Sequence, residues 1–132
     1  MTSNTRSATW LRIAVVYFVV GVTLGIVMGA SGDHSLRPVH AHINLLGWVS
    51  MTLFGLIGHF WPATTQGRVA DVQFWLYNIS VPVLLVMLAL LLRGNAALDP
   101  LIGAASVVTG VAVLLFAYLV FTGVKPAAAA SA

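Results

Sequence analysis

His40 and His42 are the residues of this chain best placed to do chemistry. They lie in the stretch Leu36-Arg37-Pro38-Val39-His40-Ala41-His42-Ile43-Asn44-Leu45-Leu46-Gly47-Trp48, at the start of an apolar run. Ionisable side chains are costly inside a bilayer, so an intramembrane His marks a functional site by default. Neutral imidazole is also the commonest metal ligand among side chains. Two imidazoles one residue apart therefore point toward a bound metal or haem iron. Their spacing restricts how. Positions i and i+2 of a helix lie about 200° apart, so one helix cannot easily present both rings to one ion. A chelating pair has i, i+4 spacing, as in HExxH. Either the helix serves two separate sites, or two copies of the chain build one site from His40 of one and His42 of the next. The competing reading is that both rings cap, hydrogen-bond across helices or lie among lipid headgroups.

The elements that position these residues are membrane spans. Hydrophobic residues make up 60% of the chain and charged residues 7%, a ratio that cannot form a soluble surface. The net charge of +3 comes from few, scattered residues and does not suggest a nucleic-acid partner. Cysteine is absent, which excludes disulfides, thiolate ligands and covalently attached haem. A haem here would be b-type, held by axial ligands and packing.

A bilayer core of about 30 Å needs about 20 apolar residues per helix. Four segments qualify, at about residues 10–30, 39–61, 72–92 and 101–123, within a single four-helix domain over 1–132. The connections are short and rich in turn formers, such as Ser31-Gly32-Asp33, Gly94-Asn95 and Asp99-Pro100, so neighbouring helices are expected to be antiparallel. The Ala-rich tail from Pro126 is expected to fray. The first segment, preceded by Arg6 and Arg12, loosely fits a cleaved signal peptide; it is expected to remain as a span. Arg6, Arg12, Arg68 and Lys125 fall on one side and Arg37 and Arg93 on the other. This asymmetry predicts cytoplasmic termini, with both histidines toward the periplasmic face of a bacterial inner membrane.

Gly21, Gly25 and Gly29 form overlapping GxxxG frames on the first helix, a spacing that lets backbones approach, within one protomer or between two. Gly47, Gly55 and Gly58 on the second leave room for a neighbouring helix or a flat macrocycle. Pro82 is expected to bend the third helix, with the Asn78 side chain satisfying a backbone group freed nearby. Trp48, Phe54 and Tyr17 are pocket-lining candidates or plain packing. His59, 19 residues beyond His40, is about 28 Å away along a helix and cannot share its site; beside Phe60-Trp61 it reads as interfacial. His34 is expected to face water.

The stretch His40-Ala41-His42-Ile43-Asn44-Leu45-Leu46-Gly47, continuing to Gly55-Leu56-Ile57-Gly58-His59-Phe60-Trp61-Pro62, resembles a signature of the haem-copper oxidase catalytic subunit. There a transmembrane helix carries an H-x-H pair, a small-residue face and a His-aromatic-aromatic-Pro exit. In that family the first His holds the high-spin haem and the second the low-spin haem. Leu36-Arg37-Pro38-Val39-His40 also resembles the start of another helix of one branch, whose His supplies the opposite low-spin ligand, and Phe74-Trp75-Leu76 the opening of the helix that follows. The family subunit has twelve helices in three four-helix arcs; this chain is the size of one arc. The resemblance thus implies a twelve-helix homotrimer, with His40 of one protomer and His42 of its neighbour clamping one b-type haem iron. It also implies Arg37 and Arg93 as haem-propionate partners, for which guanidinium forks are suited. Departures from the family limit what carries over. Asn78-Ile79-Ser80 stands on the third helix, no His-His pair occurs, Glu is absent, the cross-linked Tyr has no counterpart, and Asp33, Asp71 and Asp99 read as loop residues. A copper centre, oxygen or nitric-oxide reduction and proton pumping are therefore not expected.

The expectation is a membrane-embedded, bis-histidine haem b protein that transfers electrons or holds haem, rather than an enzyme. Its partners would be its own copies, the bilayer, and an electron donor or acceptor that the sequence does not name. Two alternatives stay open: a five-coordinate haem or copper site reactive toward O₂ or NO, and a cofactor-free membrane subunit or assembly factor.

Overall fold

The computed structural model describes residues 3–125, and all of the long elements are helical. Four long helices account for most of the described residues: α1 (Ser3–Ser31), α2 (Arg37–Phe60), α3 (Gly67–Leu92) and α4 (Asp99–Gly123). Each is long and apolar enough to cross a bilayer. The spans run longer than hydropathy suggests at several ends. α1 begins seven residues earlier and α3 five residues earlier, because polar side chains there find partners within the protein. Asp71 consequently lies in the first turns of α3, and Asp99 is the first residue of α4; neither is the loop residue expected. The tail from Pro126 lies outside the described residues.

Local chemistry sets the boundaries. Pro38 and Pro100 sit in the first turns of α2 and α4, where a missing N–H costs nothing. Gly94 closes α3. Its φ of +104° lets its N–H reach Leu91 O and the Asn95 N–H reach Leu90 O, the paired bonds that satisfy the last carbonyls of a helix. A 3-10 turn at Pro62–Thr65 joins α2 to α3, and another at Ala96–Leu98 joins α3 to α4. α3 runs unbroken through Pro82. Asn78 donates to Phe74 O, one turn back, rather than to the carbonyl that Pro82 leaves free, which is its own; a side chain reaches the preceding turn more easily than its own backbone oxygen.

The core is a knot of rings from all four helices. Trp10, 1% exposed, meets Phe54 at 5.1 Å, Phe74 at 4.8 Å and Tyr77 at 5.9 Å, all edge-on. Phe54 also meets Phe116 of α4 at 4.1 Å. Edge-to-face rings at such distances add to the energy of burial itself. α3 and α4 are tied by Thr109 Oγ1 donating to Ser80 Oγ at 3.0 Å. Outside this core the helices are bare: only 17% to 33% of each spanning window is buried. Most apolar side chains face outward, as lipid or further protein requires.

α1 and α2 pack through glycines. A Cβ on Gly21 would fall 2.8 Å from Asn44, and one on Gly25 would fall 2.9 Å from the His40 ring. Tyr17 covers Gly47, Leu11 covers Gly55, and Ser7 with Thr65 covers Gly58. The space beside the α2 glycines is thus filled by α1 and the following turn, which leaves no place for a macrocycle there. Gly21 and Gly25 serve contact within the chain; nothing lies within 4 Å of Gly29.

Candidate functional site

α2 is not a uniform helix. It is α-helical over Arg37–His42, widens to a π-helix over Ile43–Ser50, and returns to α over Met51–Phe60. Widened turns of this kind are rare and concentrate at functional sites. The two histidines occupy the turn just before this one.

His40 lies half-buried against α1, where its Nδ1–H donates to the Gly21 carbonyl at 2.9 Å. The Asn44 side chain donates to His40 O at 2.9 Å and rests on Gly21. His42 is exposed, and its Nδ1–H donates to Pro38 O at 2.7 Å. The two rings therefore leave the helix on different sides, as the i, i+2 spacing requires. A carbonyl oxygen can only accept, so in each neutral ring the proton sits on Nδ1 and the lone pair on Nε2. This is the arrangement that metal-binding histidines adopt: the far nitrogen is anchored and the near one is free to ligate. Among the described residues no group of three or more His, Asp or Glu side chains could hold a metal ion.

The charged residues expected beside this site are at the same end. Arg37 is exposed at the start of α2 and Arg93 is exposed at the end of α3. Arg93 and His34 act on Asp33 across the two connections. The Ser35 backbone N–H and hydroxyl, chiefly, hold the Asp33 carboxyl below the usual carboxylate range, with Arg93 and His34 adding to them. The Ser35 N–H reaches Asp33 Oδ1 at 2.9 Å. His34 is exposed and bonded to Gly32 O. His59 is exposed at the far end of α2 beside Phe60.

Two apolar grooves open on the surface. One of about 620 Å³ lies between α3 and α4, and one of about 310 Å³ is bounded by Tyr17, Val39, Ile43 and Pro82. Neither is lined by His40 or His42. Trp48 packs on Phe18 and Phe54 lies in the ring core, so both are packing residues.

Some features around the histidine helix escape a reading of the sequence. Asn44 and Tyr77 are ordinary polar residues in apolar runs, yet they bond to the backbone of the histidine helix: Tyr77 OH donates to Leu46 O at 2.9 Å. Arg6, a topology signal in the sequence, is 5% exposed. It pairs with Asp71, donates to Thr65 O at 2.9 Å and lies over the Phe74 ring.

No family model, no curated protein and no solved structure matches this chain.

Proposed function

We propose that this is an integral membrane haem protein that binds b-type haem between copies of itself, with His40 of one protomer and His42 of the next as axial ligands. The observation that carries this reading is the opposed pair of imidazoles, each anchored through Nδ1–H to a backbone carbonyl. The donor set fits a haem iron. Two neutral nitrogen donors suit iron, and two guanidinium groups at the same end suit the carboxylates of the porphyrin.

The reading extends to a homotrimer of twelve helices with antiparallel neighbours. Contacts along α1 descend from Gly25 to Ser7 as those along α2 ascend from His40 to Gly58, which supports the antiparallel order. The outward lie of His42, and two apolar grooves among the described residues that neither His40 nor His42 lines, support a site between chains. A closed ring of three repeats one such interface three times. The basic residues favour cytoplasmic termini, with the histidine end at the periplasmic side of a bacterial inner membrane.

A bound haem would supply a one-electron couple, and with both axial positions filled the protein would transfer electrons or hold haem rather than activate a small molecule. The protein's own part is to orient and bury. The Gly21 carbonyl holds the His40 ring, Asn44 braces the His40 backbone, the Pro38 carbonyl holds His42, and Arg37 and Arg93 offset carboxylate charge. A copper centre is not proposed.

The test is the reduced-minus-oxidised visible spectrum of the purified protein. Six-coordinate b-type bands are expected, unaltered by carbon monoxide and lost in both His40→Ala and His42→Ala. Co-expression of the two variants is the sharper experiment. In random mixed rings about a quarter of the interfaces regain both histidines, so about a quarter of the pigment should return. A site within one chain returns none. A colourless protein with no iron, expressed with haem supplied, sinks the proposal.

A further inference from the structure

The widened stretch of α2 imposes its own periodicity. Val39, Ile43, Gly47 and Met51 are buried, every fourth residue, while Leu45, Val49 and Leu53 are exposed, again every fourth. In an α-helix a four-residue repeat drifts about 40° per step, or about 120° over the twelve residues concerned. A π-turn pairs each N–H with the carbonyl five residues back, and its wider turn cancels much of that drift. Two side chains support this geometry. Ser50 Oγ donates to Leu45 O, five residues back, at 2.8 Å. Tyr77 of α3 donates its hydroxyl to Leu46 O at 2.9 Å. Tyr77 is wholly buried and wedged edge-on against Trp10 and Phe54. Its hydroxyl therefore cannot reach water, and a buried donor without a partner is costly.

We propose that Tyr77 is a positioning residue for the histidine pair: its hydroxyl on the Leu46 carbonyl latches Ile43–Ser50 in the widened form, and this form sets the direction of His40 and His42. The lower half of α2 is fixed, since Gly55 and Gly58 are closed in by Leu11, Ser7 and Thr65. Collapse of the widened stretch to α-helix shifts the register by one residue, about 100°. The histidine turn must take up that rotation. His40 then leaves the Gly21 carbonyl, and His42 turns away from its outward direction. Tyr77 touches neither ring and acts only through the backbone between them. The consequence for haem rests on the function proposed above; the geometry does not.

The chain has no cysteine, so a single introduced cysteine at each position from 39 to 53 can carry a nitroxide label. Oxygen accessibility of the label in lipid bilayers then reads which side of α2 each position occupies. In the otherwise native chain, maxima are expected at 42, just before the widened stretch, and at 45, 49 and 53, with 45 the upper maximum inside it. In Tyr77→Phe the upper maximum is expected to move by one residue while that at 53 stays, and Ser50→Ala is expected to shift it in the same direction. A native chain with a 3.6-residue period through this stretch overturns the proposal. So does Tyr77→Phe with the native pattern. If Tyr77→Phe does not insert, Ser50→Ala decides, and failure of both to fold overturns the positioning role in favour of a folding one. On pigmented protein, Tyr77→Phe should lose the six-coordinate bands while the chain still inserts and folds, because both imidazoles leave the directions that ligation needs. A protein without haem sinks the proposed function and leaves the label scan standing; an unchanged scan on pigmented protein sinks this inference alone.

Discussion

Gly25→Ala separates the seating of His40 from the stability of the bundle. The new Cβ would fall 2.9 Å from His40 Cε1, 3.4 Å from Nδ1 and 3.7 Å from Nε2. Carbon atoms rest at about 3.5–4.0 Å, so the ring must retreat by more than half an ångström. Its Nδ1–H is held to the Gly21 carbonyl at 2.9 Å, and a retreat of that size breaks or badly bends the bond. The loss is worth about 0.5–1.5 kcal/mol. Replacing Gly by Ala in a helix returns about 0.8–1.0 kcal/mol. The two nearly cancel, so thermal melting is the wrong assay and should change by little. Under the proposed function haem retention is the right one, because only the first effect acts on the His40 ring. A penalty of about 1.4 kcal/mol is tenfold in affinity, and the haem dissociation constant should rise by roughly three- to tenfold. Gly29→Ala is the control: nothing lies within 4 Å of it, so it should gain stability and leave haem affinity unchanged. Equal haem loss in the two variants, or none in Gly25→Ala, refutes the reasoning.

Three further outcomes follow from the fold. Trp10→Ala removes the ring at the centre of the aromatic core and should cost about 3–5 kcal/mol, read as a lower midpoint in denaturant titration of the protein in mixed micelles. Asp71→Asn leaves the buried Arg6 without its carboxylate; since Asp71 is 54% exposed, the cost should be about 1–2 kcal/mol, below that of a fully buried pair, in the same titration. Asp33 is held below its ordinary value, so its contribution to the loop is present above the unfolded carboxylate range and is lost as pH falls through the lower folded value. The Ser35 amide resonance should therefore titrate below the ordinary aspartate range and be flat in Asp33→Asn; a midpoint at or above the ordinary value counts against the hydrogen bonds described.

Hydropathy alone located the four helices, because nothing but apolar residues can fill a span of that length. Their ends were less legible. Asp71 and Arg6 read as loop and terminal residues, since a charge normally stops a span; only their pairing, 65 residues apart, lets both helices extend past them. The glycines were legible as close-approach positions, but not their occupants, which depend on how α1 lies along α2. The opposed directions of His40 and His42 follow from helical periodicity and hold in the structure. Tyr77 and Asn44 were illegible as partners of the histidine helix. A buried hydroxyl or amide in an apolar run signals only that a partner exists, and the partner here is a backbone carbonyl, which leaves no mark in the sequence.

The pairing of Arg6 with Asp71 has a consequence for how the molecule is made. A ribosome adds about 5–20 residues per second, so the guanidinium waits roughly 3–13 s before its carboxylate has been synthesised. During that interval the first helix can pair with the second but not with the third, and its cation stays at the lipid–water boundary without a carboxylate. Its final depth is fixed after the third helix arrives, which makes the opening residues of the chain among the last to settle.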